Sequence, residues 1–211
     1  MPFVFLSLVI AFSVHEFAHA YTAHFFGDPT AKQEGRVTLN PRKHLDVIGT
    51  LLIFIVGFGW AKPVPVNRNN FKNPRMMGIV VSAVGPLSNL FIAFIGLIVT
   101  YLLFVTGGYD SSIGVMSALR MFLNHLVELN AVLFVFNLLP LPPLDGYRII
   151  EDLAPQRVRI KMHQNVQWGT FVFLLIVFIP PLYANTLAPL FYFARFDLVL
   201  WLANIVHFIA G

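Results

Sequence analysis

Two histidines four residues apart, His15 and His19, lie in the first apolar stretch of the chain, and Glu16 follows the first of them. Residues i and i+4 of a helix share one face roughly 6 Å apart, a spacing that suits two ligands of a tetrahedral Zn²⁺. Glu16 lies about 100° around the helix, close enough to reach a water at the ion rather than the ion itself. The pattern predicts a zinc-binding helix that also provides a base for hydrolysis.

The surroundings of the motif sharpen this prediction. The motif lies inside an apolar run from Pro2 to about Phe26, and residues 6–12 before it are uncharged. Charged groups at the centre of a membrane helix cost about 2.5–3.5 kcal/mol each on insertion scales, and are therefore by default functional. A helix with ordinary core histidines is the less favoured interpretation.

The composition is that of a polytopic membrane protein. Of the 211 residues, 57% are hydrophobic and only 11% are charged, whereas charged residues make up about 25% of a soluble domain. The absence of cysteine excludes thiolate ligands, so any metal must be held by histidine and carboxylate. The basic residues are few and grouped near predicted membrane edges, which indicates no nucleic-acid partner. An apolar run that continues into the motif, without a basic start, predicts no cleaved signal peptide.

Apolar segments predict four or five transmembrane helices. The four predicted spans are residues 2–26, 76–105, 118–139 and 166–180. A last apolar segment, residues 187–209, contains Arg195 and Asp197 and is either a fifth span or a helix at the membrane interface.

Residues 47–60 are apolar but, at 14 residues, short for a span. Four Lys or Arg residues lie within residues 27–46 and four more within residues 62–75. The positive-inside rule favours both clusters on the cytoplasmic side, which predicts a re-entrant element between them. Residues 36–40 additionally predict a short strand. In this topology His15 lies below the membrane surface, nearer the cytoplasmic side.

The residues alone leave the third zinc ligand open. A catalytic zinc usually has three protein ligands and one open position. Asp145 follows the Pro-rich residues 140–144, which cannot form a regular helix, and Gly146 permits a tight turn after it. Asp145 is equally well placed as the N-cap of a following helix. Glu128, on the preceding span, is the rival ligand.

The order of these motifs resembles the site-2 protease family of intramembrane zinc metalloproteases, in a compact prokaryotic form without a PDZ or regulatory domain. The matching elements are His15-Glu16-Phe17-Ala18-His19, Gly85-Pro86-Leu87-Ser88-Asn89, and Asn137-x-x-Pro140 followed by Leu144-Asp145-Gly146. Residues 57–66 also resemble the membrane-associated β-hairpin of compact family members. A departure is Tyr147, which stands where a second glycine is often found.

The resemblance implies that His15, His19 and Asp145 bind one zinc ion per chain and that Glu16 is the catalytic base.

The resemblance also implies that Asn89 and Asn137 lie close to the site. There, a side-chain amide could bind substrate and donate to a developing oxyanion. Hydrogen bonding between helices is the alternative role for Asn89, and capping of the last turn is the alternative for Asn137.

We therefore predict an all-α polytopic membrane protein with four or five transmembrane helices and a re-entrant or β-hairpin region. Residues 1–211 are expected to form one metalloprotease domain, with a catalytic core at about 1–150 and C-terminal helices at 164–211. The expected activity is hydrolysis of transmembrane segments of substrate proteins within the lipid bilayer of a prokaryotic cell membrane. A homo-oligomer or a regulatory membrane partner is left open.

A metal transporter and a non-catalytic membrane scaffold are the alternative functions. A transporter has no need of a base such as Glu16 beside its first ligand, and a scaffold has no need of three metal-binding groups at membrane depth. A di-iron oxygenase needs further paired histidines, whereas the other five are scattered. Two of them, His24 and His44, are expected to be solvated loop residues.

Overall fold

The computed structural model describes residues 1–56, 59–109 and 114–210, and regular structure in these ranges is helical. The α-helices are α1 (Pro2–Phe25), α2 (Thr30–Gln33), α3 (Val47–Val56), α4 (Pro74–Val105), α5 (Gly114–Asn137), α6 (Asp145–Leu153), α7 (Gln156–Gln164), α8 (Val166–Phe178), α9 (Pro180–Tyr192) and α10 (Val199–Ala210). A π-helical turn, Phe193–Leu198, joins the last two. The all-α prediction is confirmed for the described residues, which contain no β-strand.

Four helical stretches are long and apolar enough to cross a membrane: α1, α4, α5 and the continuous Pro180–Ile209. The first three match predicted spans. The segment predicted as a span at residues 166–180 is the helix α8. It has 13 residues and is about 20 Å long, short of the roughly 30 Å of a hydrocarbon core, so it is not among the four candidate spans. The C-terminal segment is the longer one and begins at Pro180 rather than 187, since proline is well tolerated in a first helical turn.

The chain around α3 leaves and returns to the same place. A Cβ atom on Gly49, in the first turn of α3, would overlap the main chain of Trp60. Beside this contact, Leu45 and Ala61 pair in an isolated antiparallel bridge. Both ends of the apolar segment therefore lie together. The re-entrant path itself stays a prediction.

Two predicted strand features are not formed in the described residues. The strand predicted at residues 36–40 is wrong, because the Arg36 N–H donates to the Ala31 carbonyl and the Thr38 N–H to the Arg36 carbonyl. These local bonds occupy donors that a strand would need. The β-hairpin expected at residues 57–66 is reduced to the single bridge and the stretch that follows it, while residues 57 and 58 lie outside the described ranges. This stretch, residues 61–67, has no regular secondary structure and ends at Asn67 with an extended backbone, and we call it the extended segment.

The chain divides into two compact units. The first contains residues 1–11 and 89–137 together with the residues from Val172 on. In it, the π-helical turn packs against α5, and the Phe136 ring lies 5.9 Å from the Phe173 ring and 5.8 Å from the Phe191 ring, centroid to centroid.

The second unit contains residues 12–88 and 138–171, and Asp28 fixes its extended segment to the end of α1. Gly27 provides the turn after the helix with a positive φ of 98°. The buried Asp28 carboxylate accepts hydrogen bonds from the main chain and side chain of Thr30, from the Asn67 N–H at 2.7 Å and from the Asn70 amide at 2.7 Å. Burial raises the pKa of this carboxyl, but the donors outweigh burial and lower the pKa.

His44 is fully buried in the second unit, so the expectation of a solvated loop residue is wrong. Its Nε2 lies 2.6 Å from the Thr38 carbonyl oxygen, and its own carbonyl accepts a hydrogen bond from the Lys62 N–H at 2.7 Å. Burial lowers the pKa of this imidazole. His44 therefore helps to hold the first part of the extended segment in place.

Helices α6 and α7 pack as a pair, and polar contacts beyond the first residue of α6 hold them in place. The buried Asp152 carboxylate lies 2.6 Å from Arg68 Nη1 and 3.5 Å from Arg159 Nη2. The Tyr147 hydroxyl donates to the Met162 carbonyl at 2.7 Å, a contact between the two helices that a glycine at this position could not make. The first residue of α6 is Asp145, so these contacts fix the helix from which its carboxylate projects.

Candidate metal centre

His15, His19 and Asp145 lie together in the second unit. The Nε2 atoms of the two imidazoles are 3.0 Å apart, and Asp145 Oδ2 lies 3.1 Å from the Nε2 of His15 and 3.3 Å from that of His19. All three residues are buried, with exposed fractions of 7% for each histidine and 8% for the aspartate. Burying polar and charged side chains costs free energy unless they are paired or coordinate a metal. A bound cation would offset this cost for the three side chains.

The geometry and the donor types fit zinc. A tetrahedral ion with bonds of 2.0–2.1 Å has its ligand atoms about 3.3 Å apart, and the three observed separations are 3.0, 3.1 and 3.3 Å. Two imidazoles and one carboxylate also match the donor set of catalytic zinc sites, which keep the fourth position for water or substrate. The chain thus offers three potential ligands, one fewer than the four positions of a tetrahedral zinc ion.

Helix α1 places both imidazoles, and a contact with α4 fixes the second one. His19 Nδ1 lies 2.6 Å from the Val81 carbonyl oxygen and donates to it, so Nε2 is the nitrogen that faces the other ligands. Metal-binding histidines commonly use their second nitrogen in this way, which fixes the tautomer and the ring orientation.

Gly85 lets α4 approach the imidazoles. A Cβ atom at this position would overlap the His19 ring and lie 2.8 Å from His15 Cε1. The sequence singled out this glycine only as part of a family motif. The structure gives it a physical role: the absence of a side chain makes room for the two rings.

We expect Gly85→Ala to weaken zinc binding and the predicted proteolytic activity together, by roughly tenfold or more, because the added methyl group must displace ring atoms. Overpacking of this kind costs about 1–3 kcal/mol, and about 1.4 kcal/mol corresponds to a factor of ten in an equilibrium constant. Zinc per chain, measured in a metal-buffered solution, reports the effect. The matched control is Gly114→Ala at the first residue of α5, where the added Cβ would meet no described atom within 4 Å. Full zinc occupancy and rate in Gly85→Ala would contradict this role.

Asp145, and not Glu128, is the acidic residue beside the histidines. Leu144 occupies the N-cap of α6 and Asp145 is the first helical residue, so the N-cap interpretation of Asp145 is wrong. Burial raises the pKa of its carboxyl, but the adjacent imidazoles outweigh burial and bring the pKa well below its usual range. Glu128 is exposed on α5 and does not belong to the group of potential ligands.

Gly146 serves close packing rather than a tight turn. It is the second residue of α6 and its φ is not positive, so the predicted turn is wrong. A Cβ atom here would overlap the carbonyl of Leu138 and lie 2.6 Å from that of Leu139. The absence of a side chain lets the start of the preceding loop pass directly beside the helix that presents Asp145.

Glu16 is buried on α1 and does not belong to the group of three potential ligands. Its Oε2 accepts a hydrogen bond of 3.0 Å from the Val64 N–H in the extended segment. The sequence could not reveal this contact, because every residue except proline has a main-chain N–H. The only available signal was the pair Pro63 and Pro65, which predicts an extended backbone around Val64.

Asn89 and Asn137 belong to the first unit, whereas the three potential ligands belong to the second. The Asn89 amide is fully buried and donates to Asn130 Oδ1 at 2.9 Å and to the Ala11 carbonyl at 3.4 Å. The hydrogen bonding between helices foreseen for Asn89 is therefore present. Asn137 donates to the Leu133 carbonyl of its own helix at 2.9 Å. A substrate or oxyanion role for either amide stays a prediction.

Comparison with known proteins identifies similar sequences over most of the chain. The profile described as Peptidase family M50 matches residues 109–179. The "Putative zinc metalloprotease YwhC" of Bacillus subtilis (strain 168) is 52% identical over 190 residues, which cover 90% of this chain and 86% of that protein.

Two proteins named "Putative zinc metalloprotease Rip2" are more distant. That of Mycobacterium tuberculosis (strain ATCC 25618 / H37Rv) is 33% identical over 177 residues, which cover 82% of this chain and 65% of the relative. That of Mycolicibacterium smegmatis is 29% identical over 179 residues, covering 82% of this chain and 66% of the relative. No solved structure matches the chain.

Proposed function

The chain belongs to peptidase family M50, and we propose that this intramembrane zinc metalloprotease holds its ion with His15, His19 and Asp145 and uses Glu16 as its base. The observation that supports the assignment is the buried group of three potential ligand atoms, 3.0–3.3 Å apart, two of which are on the same helix as Glu16. The zinc metalloprotease names of the relatives do not favour a metal transporter or a scaffold.

Peptide hydrolysis then divides the work between the metal and Glu16. When bound, zinc supplies Lewis acidity to a peptide carbonyl and lowers the pKa of a water to about 7. Glu16 accepts the proton of the attacking water and later returns it to the leaving amine, so the C–N bond breaks to give a carboxylate and an amine. The Val64 N–H holds one carboxylate oxygen of Glu16 in place for both transfers.

All four proposed residues fall within residues 1–150, which supports a catalytic core there with C-terminal helices at 164–211 in a single metalloprotease domain. One chain provides every ligand and the base. The proposed chemistry therefore requires neither a second copy nor a regulatory membrane partner.

The protein is an integral membrane protein, and we place its site nearer the cytoplasmic side of a prokaryotic cell membrane. The support is the charge distribution: the loops at residues 27–46 and 62–75, which follow α1 and precede α4, each contain four basic residues. Such residues accumulate on the cytoplasmic side. The paired ends of the apolar segment between these loops agree with one side for both. The matched relatives are bacterial, which supports the prokaryotic assignment.

A substrate helix must unwind before it can be cut, because its peptide bonds are enclosed in i to i−4 hydrogen bonds. The N–H groups of Lys62, Val64 and Asn67 in the extended segment already donate to His44, Glu16 and Asp28. An unwound chain that adds to this segment as a strand would therefore pair with the main chain around Val66. Pro63 and Pro65 fit the edge position that such addition needs, since prolines are confined to sheet edges.

We expect the purified protein to contain about one zinc per chain and to cleave single-span membrane substrates in a zinc-dependent manner. Replacing glycine or proline in the substrate's transmembrane segment with leucine should slow cleavage, because each removes a weak point of the helix. Gly and Pro cost about 1 and 3 kcal/mol relative to alanine in a helix interior, so a reduction of at least fivefold is expected. Metal analysis and initial rates on matched substrates in vesicles measure both effects.

The control for this experiment is the same substitution in the soluble flank of the substrate, which should leave the rate unchanged. Equal rates for helix-weak and leucine-rich substrates would contradict unwinding in the membrane. Full cleavage after removal of the metal would contradict the zinc mechanism.

A further inference from the structure

Arg36 is a buried arginine whose partners are main-chain carbonyls. It is 3% exposed, and its guanidinium donates from Nη2 to the Lys62 carbonyl at 2.5 Å and from Nη1 to the Pro63 carbonyl at 3.3 Å. Buried guanidinium groups normally pair with carboxylates. In the described part of the chain, however, no carboxylate lies within 4.0 Å of Arg36. Keeping this charge buried costs free energy. The contact of Arg36 with the extended segment therefore calls for an explanation.

The contact with Pro63 reaches the proposed base through a single peptide group. The carbonyl that accepts from Arg36 and the N–H that donates to Glu16 are the two ends of the Pro63–Val64 peptide bond. This bond is trans, because the cis peptide bond among the described residues is at Pro142–Pro143. A trans peptide is planar, with its C=O and N–H pointing in opposite directions. The Arg36 guanidinium and the Glu16 carboxylate therefore bind the two ends of one rigid, planar peptide group.

This arrangement does two things to the Val64 N–H. A cation on the carbonyl oxygen polarises the amide, so the N–H becomes a stronger donor to the carboxylate, as in other hydrogen-bonded chains. The contact with Arg36 also fixes the rotation of the Pro63–Val64 peptide group, and this rotation determines the direction of the Val64 N–H. The flanking prolines restrict the backbone on both sides, while His44 and Asp28 hold the two ends of the segment. Arg36 fixes the orientation that remains.

We propose that Arg36 is a positioning residue for catalysis: by holding the Pro63–Val64 peptide group, it makes the Val64 N–H orient the Glu16 carboxylate. The inference rests on the proposed function, since it takes Glu16 as the base. In the described residues the Arg36 hydrogen bonds go to main-chain carbonyls and not to the three potential zinc ligands, so Arg36 would act on the reaction only through the peptide group. Its loss is expected to misplace the base and leave the metal bound.

The test compares Arg36→Gln and Arg36→Lys with Arg42→Gln, an exposed arginine six residues further along the same loop. Three quantities are measured on full-length protein in vesicles: zinc per chain, kcat and KM on a single-span substrate, and hydrogen exchange of the segment's amides. Between residues 62 and 66 only Lys62, Val64 and Val66 have an amide hydrogen, because Pro63 and Pro65 have none. Exchange at Val64 can therefore be resolved from a short peptide.

Arg36→Gln should exchange at Val64 at least about tenfold faster and lose about 10- to 100-fold in kcat, the range expected for a misplaced catalytic group. KM and zinc content should stay within about twofold of the wild type. Lysine keeps the charge but cannot bind two carbonyls in the planar, two-pronged geometry of a guanidinium. The Val64 exchange rate and kcat of Arg36→Lys should therefore lie between those of the wild type and Arg36→Gln. Arg36→Lys also provides the measurement if Arg36→Gln does not fold. Arg42→Gln should match the wild type.

Glu16→Ala distinguishes positioning through the Pro63–Val64 peptide group from a general loosening of the extended segment. It removes the acceptor, so it should raise exchange at Val64 and leave exchange at Lys62 unchanged, because the His44 carbonyl still holds that N–H. Arg36→Gln should show the same selectivity. Equal acceleration at all three amides together with zinc loss would show a merely structural role and overturn the inference, as would faster Val64 exchange with unchanged kcat. Proteolysis that persists in Glu16→Gln would instead overturn the proposed function.

Discussion

Glu16→Gln is expected to abolish proteolysis while zinc stays bound. Glutamine has the same shape and an oxygen that can still accept the Val64 N–H, but it cannot take a proton from water. General acid–base catalysis contributes about 10²–10⁴ to a rate, and Glu16 serves both proton transfers, so we expect kcat to fall at least about 10³-fold. Cleavage of a single-span substrate by purified protein, with zinc per chain measured on the same sample, tests both halves of the prediction.

Glu34→Gln is the matched control, since Glu34 is exposed in the loop after α1 and lies outside the site. It should cleave at the wild-type rate. A Glu16→Gln protein that retains more than about a tenth of the rate would refute the assignment of the base. Its loss of less than about tenfold would be smaller than the factor of about 10²–10⁴ that general acid–base catalysis contributes. Zinc loss in Glu16→Gln would instead place Glu16 among the ligands.

Asp145→Asn is expected to remove both the metal and the activity. The neutral amide is a poor substitute for a carboxylate ligand, and two imidazoles alone leave the site with one ligand fewer than catalytic zinc sites have. Mutation of groups that only support metal ligands typically costs 10–100-fold in affinity. Loss of a direct ligand should therefore weaken zinc binding at least about 100-fold. Competition with a chelator of known zinc affinity measures the dissociation constant directly.

Two further substitutions make the Asp145 result specific. Asp197→Asn makes the same chemical change at an exposed position in the π-helical turn and should leave zinc affinity unchanged. Glu128→Gln tests the rival ligand and should also retain the metal. If Glu128→Gln lost zinc while Asp145→Asn kept it, the third ligand would be the acidic residue of α5 and the proposed site would be wrong.

The Glu16 and Asp145 substitutions also distinguish two functions of the same site. A protein that only binds or moves metal depends on its ligands and not on an adjacent base. Retained zinc with lost cleavage in Glu16→Gln, next to lost zinc in Asp145→Asn, is the pattern that hydrolysis requires. The two results together therefore test the chemistry separately from the metal binding.

The sequence by itself determined the features that depend on neighbours along the chain. His15 and His19 share a face because a helix repeats every 3.6 residues, and the length of apolar runs predicted α1, α4 and α5. Charge counts and length alone favoured a re-entrant element over a crossing at residues 47–60. Each of these properties arises within one segment, so its physical cause is visible in that segment's residues.

The tertiary structure decided whatever depends on residues far apart in the chain. Asp145 rather than Glu128 joins the histidines, because the path of the loop before α6 determines which acid arrives beside α1. The role of Gly85 arises only because α4 packs against the imidazoles. The contact between Val64 and Glu16 uses a main-chain donor that nearly every residue has. Such contacts depend on how the chain folds back on itself, and spacing along a sequence does not record that.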